Sequence, residues 1–259
     1  MKPTIVGIYS YPKSGNTWVR QVVGNFFKLR GYEALRVSVP DIAVEPFGDN
    51  IVQHENQPYL FYKSHSWYEI TQSRGHSFEN DVIIHIRRNP LDVFVSHLNY
   101  LSGNLHDAAP VKFKDVDDCT KSGLIDHYFG AFLTLGQIDP RGFGGQGTYF
   151  GSNLWWTTQA NESQQKRIFS VRYEDLLEDF TATLGPAWTA CGLPENRLKI
   201  SADTIKQRIQ PDGKFYWKMQ RGNYLEYLDR NKIEDFVKYH RDELARLDYL
   251  DMILEDIGT

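Results

Sequence analysis

The stretch that most limits how this 259-residue chain can fold lies near its start, where "TIVGIYSYPKSGNTWVRQVVGNFF" runs from Thr4 to Phe27. The apolar run Thr4–Tyr9 reads as a buried strand, and from Asn16 to Leu29 the pattern changes to a helical one. Trp18, Val19, Val22, Val23, Phe26 and Phe27 then fall on one helical stripe. A strand that enters a helix through a glycine-bearing turn gathers backbone N–H groups at the positive end of the helix dipole, where a phosphate or sulfate fits. Lys13 adds a full charge, and Ser14, Asn16 and Thr17 add side-chain donors around Gly15. The order is not the GxxxxGK[ST] of nucleoside triphosphatases, because Lys13 precedes Gly15 instead of following a second glycine. Taken alone, the turn also suits an ordinary connection with a solvated lysine.

Further strands are expected at "YLFYKSH" (Tyr59–His65) and "DVIIHIRR" (Asp81–Arg88), the latter continuous enough in β-branched residues to be covered on both faces. The next helix carries its own start signals: Asn89 as cap, Pro90 at the first helical position and Asp92 in the first turn, with an end near Leu101. Helical patterns recur at Leu124–Leu135 and Leu154–Gln164, "RIFSVRYEDL" gives a strand ending at Tyr173, and the last third is mostly helical. Strands separated by helices predict an α/β fold of three layers, a mostly parallel sheet flanked by helices, in a single domain spanning 1–259. The segment "DPRGFGGQGTYFGS", with Phe143, Tyr149 and Phe150, reads either as a surface loop or as a mobile wall over a binding site.

A net charge of -4 and a pI near 6.1 argue against binding nucleic acid through overall positive charge, while leaving room for a local basic pocket. Cys119 and Cys191 form no CxxC pair, so neither a disulfide framework nor a thiolate metal site is expected, and a reducing compartment fits. The first apolar run is too short for a signal-peptide core and no later stretch is long enough to span a bilayer, which points to a cytoplasmic protein with no membrane partner. The acidic group Asp115, Asp117, Asp118 and Cys119 lacks histidines at ligand spacing and reads as a solvated helix start; no metal is expected.

"IRRNPLDVFVSHL" offers a second anion site. Arg88 ends a strand and Ser96 follows eight positions later, about two helical turns on, supplying a planar fork and a hydroxyl to a phosphate distinct from the first. Alone, Arg88 also suits a surface ion pair and Ser96 a polar helix face. Together the two segments carry a resemblance: "YPKSGNTW" resembles the 5′-phosphosulfate loop of cytosolic-type sulfotransferases, and "RRNPLDVFVS" is similar to that family's 3′-phosphate segment. The resemblance implies 3′-phosphoadenosine 5′-phosphosulfate (PAPS) as donor. It further implies that Tyr173 in "VRYEDL" reaches the adenine and that Trp18 packs on it, roles suited to aromatics with a polar tip. "MQRGNYLEYL" resembles a weakened form of the family's closing segment, in which Arg221 and Gly222 match but Gln220 stands where an arginine is usual.

In "YKSHSW", Lys63 and His65 sit where a predicted strand ends, the edge at which open α/β sheets bind ligands. A neutral imidazole can take the proton from an attacking alcohol near pH 7. The family's Lys-Thr/Ser-His element implies His65 as the general base, with Lys13 and Lys63 stabilising charge on the bridging oxygen. His54, His97, His106 and His127 lack such a context. The expected reaction is in-line transfer of a sulfuryl group to the hydroxyl of a small molecule, with an amine as second choice. The "SYPKSGNTWVR" form resembles bacterial enzymes acting on secondary metabolites. Tyr149, Phe150, Trp155 and Trp156 are candidate acceptor walls or ordinary core, and a homodimer is left open. Two other readings are a nucleotide-dependent phosphotransferase, which would want a lysine after the second glycine and carboxylates for Mg²⁺, and a non-catalytic nucleotide-binding protein.

Overall fold

Period-two alternation is hidden in the apolar runs, because both faces of the strands they form are covered. In the computed structural model, which describes residues 1–29, 36–45, 48, 50–73, 75–102, 112–137, 147–162, 167–208 and 218–259, the strands are β1 (Thr4–Ser10), β2 (Ile51–His54), β3 (Gln57–Ser64), β4 (Gln72–Ser73), β5 (His76–Ser77), β6 (Val82–Arg87) and β7 (Arg167–Arg172). A five-stranded sheet has the order β2-β3-β1-β6-β7, and β4 and β5 form a separate small hairpin. The β3, β1, β6 and β7 pairings are parallel, as expected. β2 was not expected; it pairs antiparallel with β3 through a tight turn at Glu55 and Asn56, whose φ values of 48° and 70° are those a two-residue hairpin needs.

The helices are α1 (Asn16–Phe26), α2 (Pro90–Leu101), α3 (Val116–Lys121), α4 (Leu124–Leu135), α5 (Tyr149–Glu162), α6 (Tyr173–Glu178), α7 (Phe180–Ala190), α8 (Glu195–Arg208), α9 (Arg230–Tyr239), α10 (Arg241–Arg246) and α11 (Leu250–Asp256). Val6, Ile8, Phe61, Val82, Ile84 and Ile86 pack against α1, α7 and α8 on one face of the sheet. Ile5, Tyr9, Leu60, Tyr62 and Ile83 pack with Trp156 of α5 on the other, giving the three layers. A further cluster joins α2, α4 and the C-terminal helices through Phe94, Phe129, Phe132 and Phe236.

Two boundaries shift in ways that matter. α5 begins at Tyr149, earlier than expected, so Tyr149 and Phe150 belong to a buried helix and not to a loop over a site. The strand expected to run through Tyr173 stops at Arg172, and Tyr173 opens α6. The glycine-rich residues 138–146, with Phe143, and His106 lie outside the described residues. Asp115 caps α3 by accepting from the Asp118 N–H at 2.9 Å, which accounts for the acidic start of that helix. Among the described residues no helix is long and apolar enough to cross a membrane.

Candidate active site

Strand register brings the segments together. Ile8 lies opposite Lys63, Tyr9 opposite His85, and Arg87 opposite Arg172. The turn after β1, His65 after β3, Arg88 after β6 and Tyr173 after β7 therefore leave the sheet at one carboxyl edge, where ligands of such sheets bind.

The turn between β1 and α1 takes an unusual backbone path. Lys13 has φ 70° and Gly15 φ 102°. At Gly15 a Cβ would lie 2.4 Å from Cδ2 of Tyr173, so only glycine lets that ring close on the turn. No side chain caps α1, leaving its positive end facing the turn. Burial, then the charge of Arg88, pulls the Lys13 ammonium down to about 7, and it sits 4.7 Å over the ring of Tyr100. Arg88 is the hub of the second segment. It donates from Nη1 to the Lys13 carbonyl at 3.3 Å and from Nη2 to the Gln220 carbonyl at 3.2 Å, and it lies 4.5 Å over the Tyr173 ring.

Among the described residues, three buried donors around this turn, Ser14 Oγ, Trp18 Nε1 and Arg88 Nε, have no hydrogen-bond partner. Buried donors in native folds are rarely left unmade, and an oxygen-rich anion with an attached base is the kind of group that would satisfy these. Trp18 is buried with its ring edge-on to Tyr173 at 6.0 Å and against Phe180 at 4.9 Å, so it serves the core as well. Asn16 donates to Ser10 Oγ at 3.3 Å, Thr17 is half-buried on the first turn of α1, and Ser96 is buried on α2. The closing segment meets α2 through backbone: Gly222, φ 74°, donates its N–H to Asp92 Oδ2 at 2.9 Å and Tyr224 donates to Oδ1 at 3.3 Å. The Arg221 side chain instead points to solvent, 3.9 Å from Glu178.

On the other side of the turn, His65 Nδ1 is 2.8 Å from the Ser10 carbonyl. A carbonyl only accepts, so Nδ1 carries the proton and Nε2 holds the lone pair. Lys63 Nζ lies 2.9 Å from that Nε2 and 2.6 Å from Asp41 Oδ2. Burial, then the charge of Lys63, holds the imidazole down at about 3, so it is neutral across the physiological range. Two residues along, Trp67 and Tyr68 are 41% and 45% exposed, and Trp67 meets Trp155 edge-on at 6.3 Å, an aromatic ledge open to solvent. Of the other aromatics singled out in the sequence, Tyr149 bonds the Arg88 carbonyl, Phe150 stacks on His240 and Trp156 is fully buried, so these serve the core.

Sequence reasoning missed Asp41, Asp92 as a latch, and Glu174. The last, fully buried on α6, accepts from the Asn89 N–H at 2.9 Å and from the Tyr249 hydroxyl at 3.1 Å, tying α6, the start of α2 and the C-terminal helices together. An acid following Tyr173 gave a faint signal for it; Asp41 had none, since its partner is brought to it only by the sheet.

Comparison with known proteins agrees with this fold. Among solved structures the chain is similar to a mouse sulfotransferase, SULT7A1, complexed with PAP, with a TM-score of 0.62 and 16% identity over 100% of this chain and 90% of that one. It is also similar to retinol dehydratase in complex with androsterone and the inactive cofactor PAP, with a TM-score of 0.58 and 15% identity over 94% of this chain and 81% of the other. A second retinol dehydratase structure, with retinol and PAP, gives a TM-score of 0.54 at 15% identity over 94% and 82%. At such identities these likenesses speak for the fold. No curated protein sequence matches the chain significantly. The model of the sulfotransferase domain matches residues 3–248, and on that match, with the fold in accord, the chain belongs to the sulfotransferase domain family.

Proposed function

We propose that the protein transfers a sulfuryl group from PAPS to the hydroxyl of a small molecule, with His65 as general base. The observation that carries this reading is the meeting, at one sheet edge, of a phosphate turn with unsatisfied buried donors and a neutral imidazole whose proton-bearing nitrogen is fixed. The solved neighbours that carry PAP, the desulfated donor, support the choice of donor. Ser14, the first turn of α1 and Lys13 would hold the 5′ end of the donor, Arg88 and Ser96 its 3′-phosphate, and Trp18 and Tyr173 its base. PAPS supplies an activated sulfuryl group. The acceptor oxygen bonds to sulfur as the bond from sulfur to the bridging phosphate oxygen breaks, and PAP leaves.

In that step His65 Nε2 takes the hydroxyl proton. Nδ1 cannot compete, because the Ser10 carbonyl keeps its proton in place. Lys13 and Lys63 meet the negative charge that builds on the bridging oxygen, the kind of preplaced donor whose removal costs about a hundred- to thousandfold in rate. The Trp67, Tyr68 and Trp155 ledge favours an acceptor with an apolar or planar body.

Radiolabelled PAPS offered with a panel of phenols and aliphatic alcohols tests the reading. Transfer is expected with at least one of them, and His65→Asn should lose at least about a hundredfold in kcat while binding PAP with little change. Full turnover in that variant would remove His65 from its role. Stabilisation by ADP with Mg²⁺ and none by PAP would move the reading to a phosphotransferase.

A further inference from the structure

The catalytic pair proposed above has a third member that the sequence did not announce. Lys63 is nearly buried, and an ammonium in such a place tends to shed its proton. Asp41 stands against that tendency. The backbone holds it there from both sides: the Ile42 N–H donates to the Lys63 carbonyl at 3.0 Å and the Lys63 N–H to the Pro40 carbonyl at 2.8 Å, a parallel bridge that puts Asp41 opposite Lys63. Glu45 closes the turn on itself, accepting the Asp41 N–H at 2.5 Å, and is held in turn by Arg36 and by Arg20 of α1 at 3.8 Å. The Asp41 carboxylate is thus built into place before it touches the lysine.

Resting on the reading of Lys63 and His65 given above, we propose that Asp41 is a positioning residue of the transfer site, holding the Lys63 ammonium against the lone pair of His65. The chain runs Asp41 Oδ2, Lys63 Nζ, His65 Nε2, His65 Nδ1, Ser10 carbonyl, with separations of 2.6, 2.9 and 2.8 Å at its three hydrogen bonds. Every proton in it is assigned by chemistry: the carboxylate and the carbonyl only accept, so the ammonium donates twice and the imidazole once. Among the described residues, the charged groups facing Lys63 are Asp41 and Glu45 from the 36–45 segment and Arg20 from α1, with the neutral, titratable His65 ring beyond β3. Burial is the largest influence and pushes Lys63 down, with Arg20; Asp41 is the main group opposing it. For Asp41 itself, burial works against ionisation, but the charge and hydrogen bond of Lys63 outweigh it and hold the carboxyl below its usual range.

The arrangement has a functional consequence. While Lys63 donates to Nε2, the base is both masked and discouraged from taking a proton, so the lysine must turn from His65 toward the anionic side of the site when an acceptor hydroxyl arrives. Asp41 gives it a pivot: one hydrogen bond stays on the carboxylate while the other changes partner. Without that carboxylate the lysine keeps neither its charge nor its bearing.

Asp41→Asn and Asp41→Glu test this in the full chain. The protonation of Lys63 is read by NMR of ¹³C-labelled lysine side chains, its signal assigned by its loss in Lys63→Gln. In Asp41→Asn the signal should titrate at a lower pH than in the wild type. With whichever panel acceptor is turned over, Asp41→Asn should then gain an alkaline limb in kcat, falling about tenfold per pH unit above the new pKa. Asp41→Glu, longer but charged, should restore the wild-type titration. Identical Lys63 titration in wild type and Asp41→Asn overturns the proposal, as does a kcat loss that is uniform with pH, the result of a structural defect alone. Should Asp41→Asn not fold, Asp41→Glu decides against the wild type: a Lys63 that titrates at lower pH in this charged variant removes the carboxylate from its role. The NMR arm needs no acceptor, so a failure of the His65 reading, seen as full turnover by His65→Asn, remains distinguishable from a failure here.

Discussion

At the residue scale the site depends on a side chain that is missing. Gly15 has φ 102°, and the ring of Tyr173 occupies the place where a Cβ would be. Gly15→Ala therefore combines a disfavoured backbone with a 2.4 Å clash, of order 1–3 kcal/mol for the backbone alone. The expected outcome is a lower melting temperature together with loss of PAP binding by calorimetry, since relief of the clash swings Tyr173 off the turn. An alanine variant that binds PAP as tightly as the wild type would show that Tyr173 is not needed at that position. Lys13 and Ser14 stood out in the sequence because small residues, a cation and a strand-to-helix switch share one short run, and Arg88 because it ends a strand eight positions before Ser96. Asp41 was not, because an acid in a polar segment looks like any solvated acid until the fold sets a buried lysine beside it.

At the scale of elements, α2 was readable to its ends: the Asn89 side chain accepts from the Leu91 N–H at 2.9 Å, and Pro90 and Asp92 stand in its first turn as expected. What could not be read was the second duty of Asp92. Fully buried, it receives the backbone N–H groups of Gly222 and Tyr224, from a segment more than a hundred residues away in the chain. Helix-start chemistry explains the residue type so completely that nothing hints at a latch. Asp92→Asn turns one acceptor into a donor facing another donor, a loss of about 1–3 kcal/mol. Hydrogen exchange at 222–226 should quicken much more than in β1 or β6; equal protection in the variant would mean that the segment is held by other contacts. The β2 hairpin was missed for a related reason, since "IVQHENQPYL" carries neither Asn-Gly nor Asp-Gly at its turn.

At the scale of the whole molecule, histidines kept neutral inside the fold tie its stability to pH. His65 and His85 are both held down at about 3, by burial first and then by Lys63 and Arg87 respectively. Their folded pKa values lie below the unfolded value, so the stability they allow is complete above about 6.5 and is lost as pH falls towards 3. Each can contribute at most about 1.4 kcal/mol per pH unit in that window. His85 is fully buried, with its Nδ1 3.0 Å from Ser170 Oγ and its ring stacked on Trp156. The dependence of melting temperature on pH between 7 and 4 should therefore be shallower in His85→Gln than in the wild type, although the variant is less stable at pH 7. Parallel curves would show that His85 takes up its proton without leaving the fold.

The latch between Asp92 and Gly222 also bears on how the molecule comes into being. A ribosome delivers the chain from its amino end, and once Arg172 has emerged every strand of the main sheet is present. The Arg88 guanidinium and the Asp92 carboxylate are by then in place, yet their partners at Gln220, Gly222 and Tyr224 are still to be synthesised. The proposed donor site is thus closed by a segment made only after the whole sheet. A chain halted before Gln220 would own every strand of that sheet and still lack the backbone partners of Arg88 and Asp92.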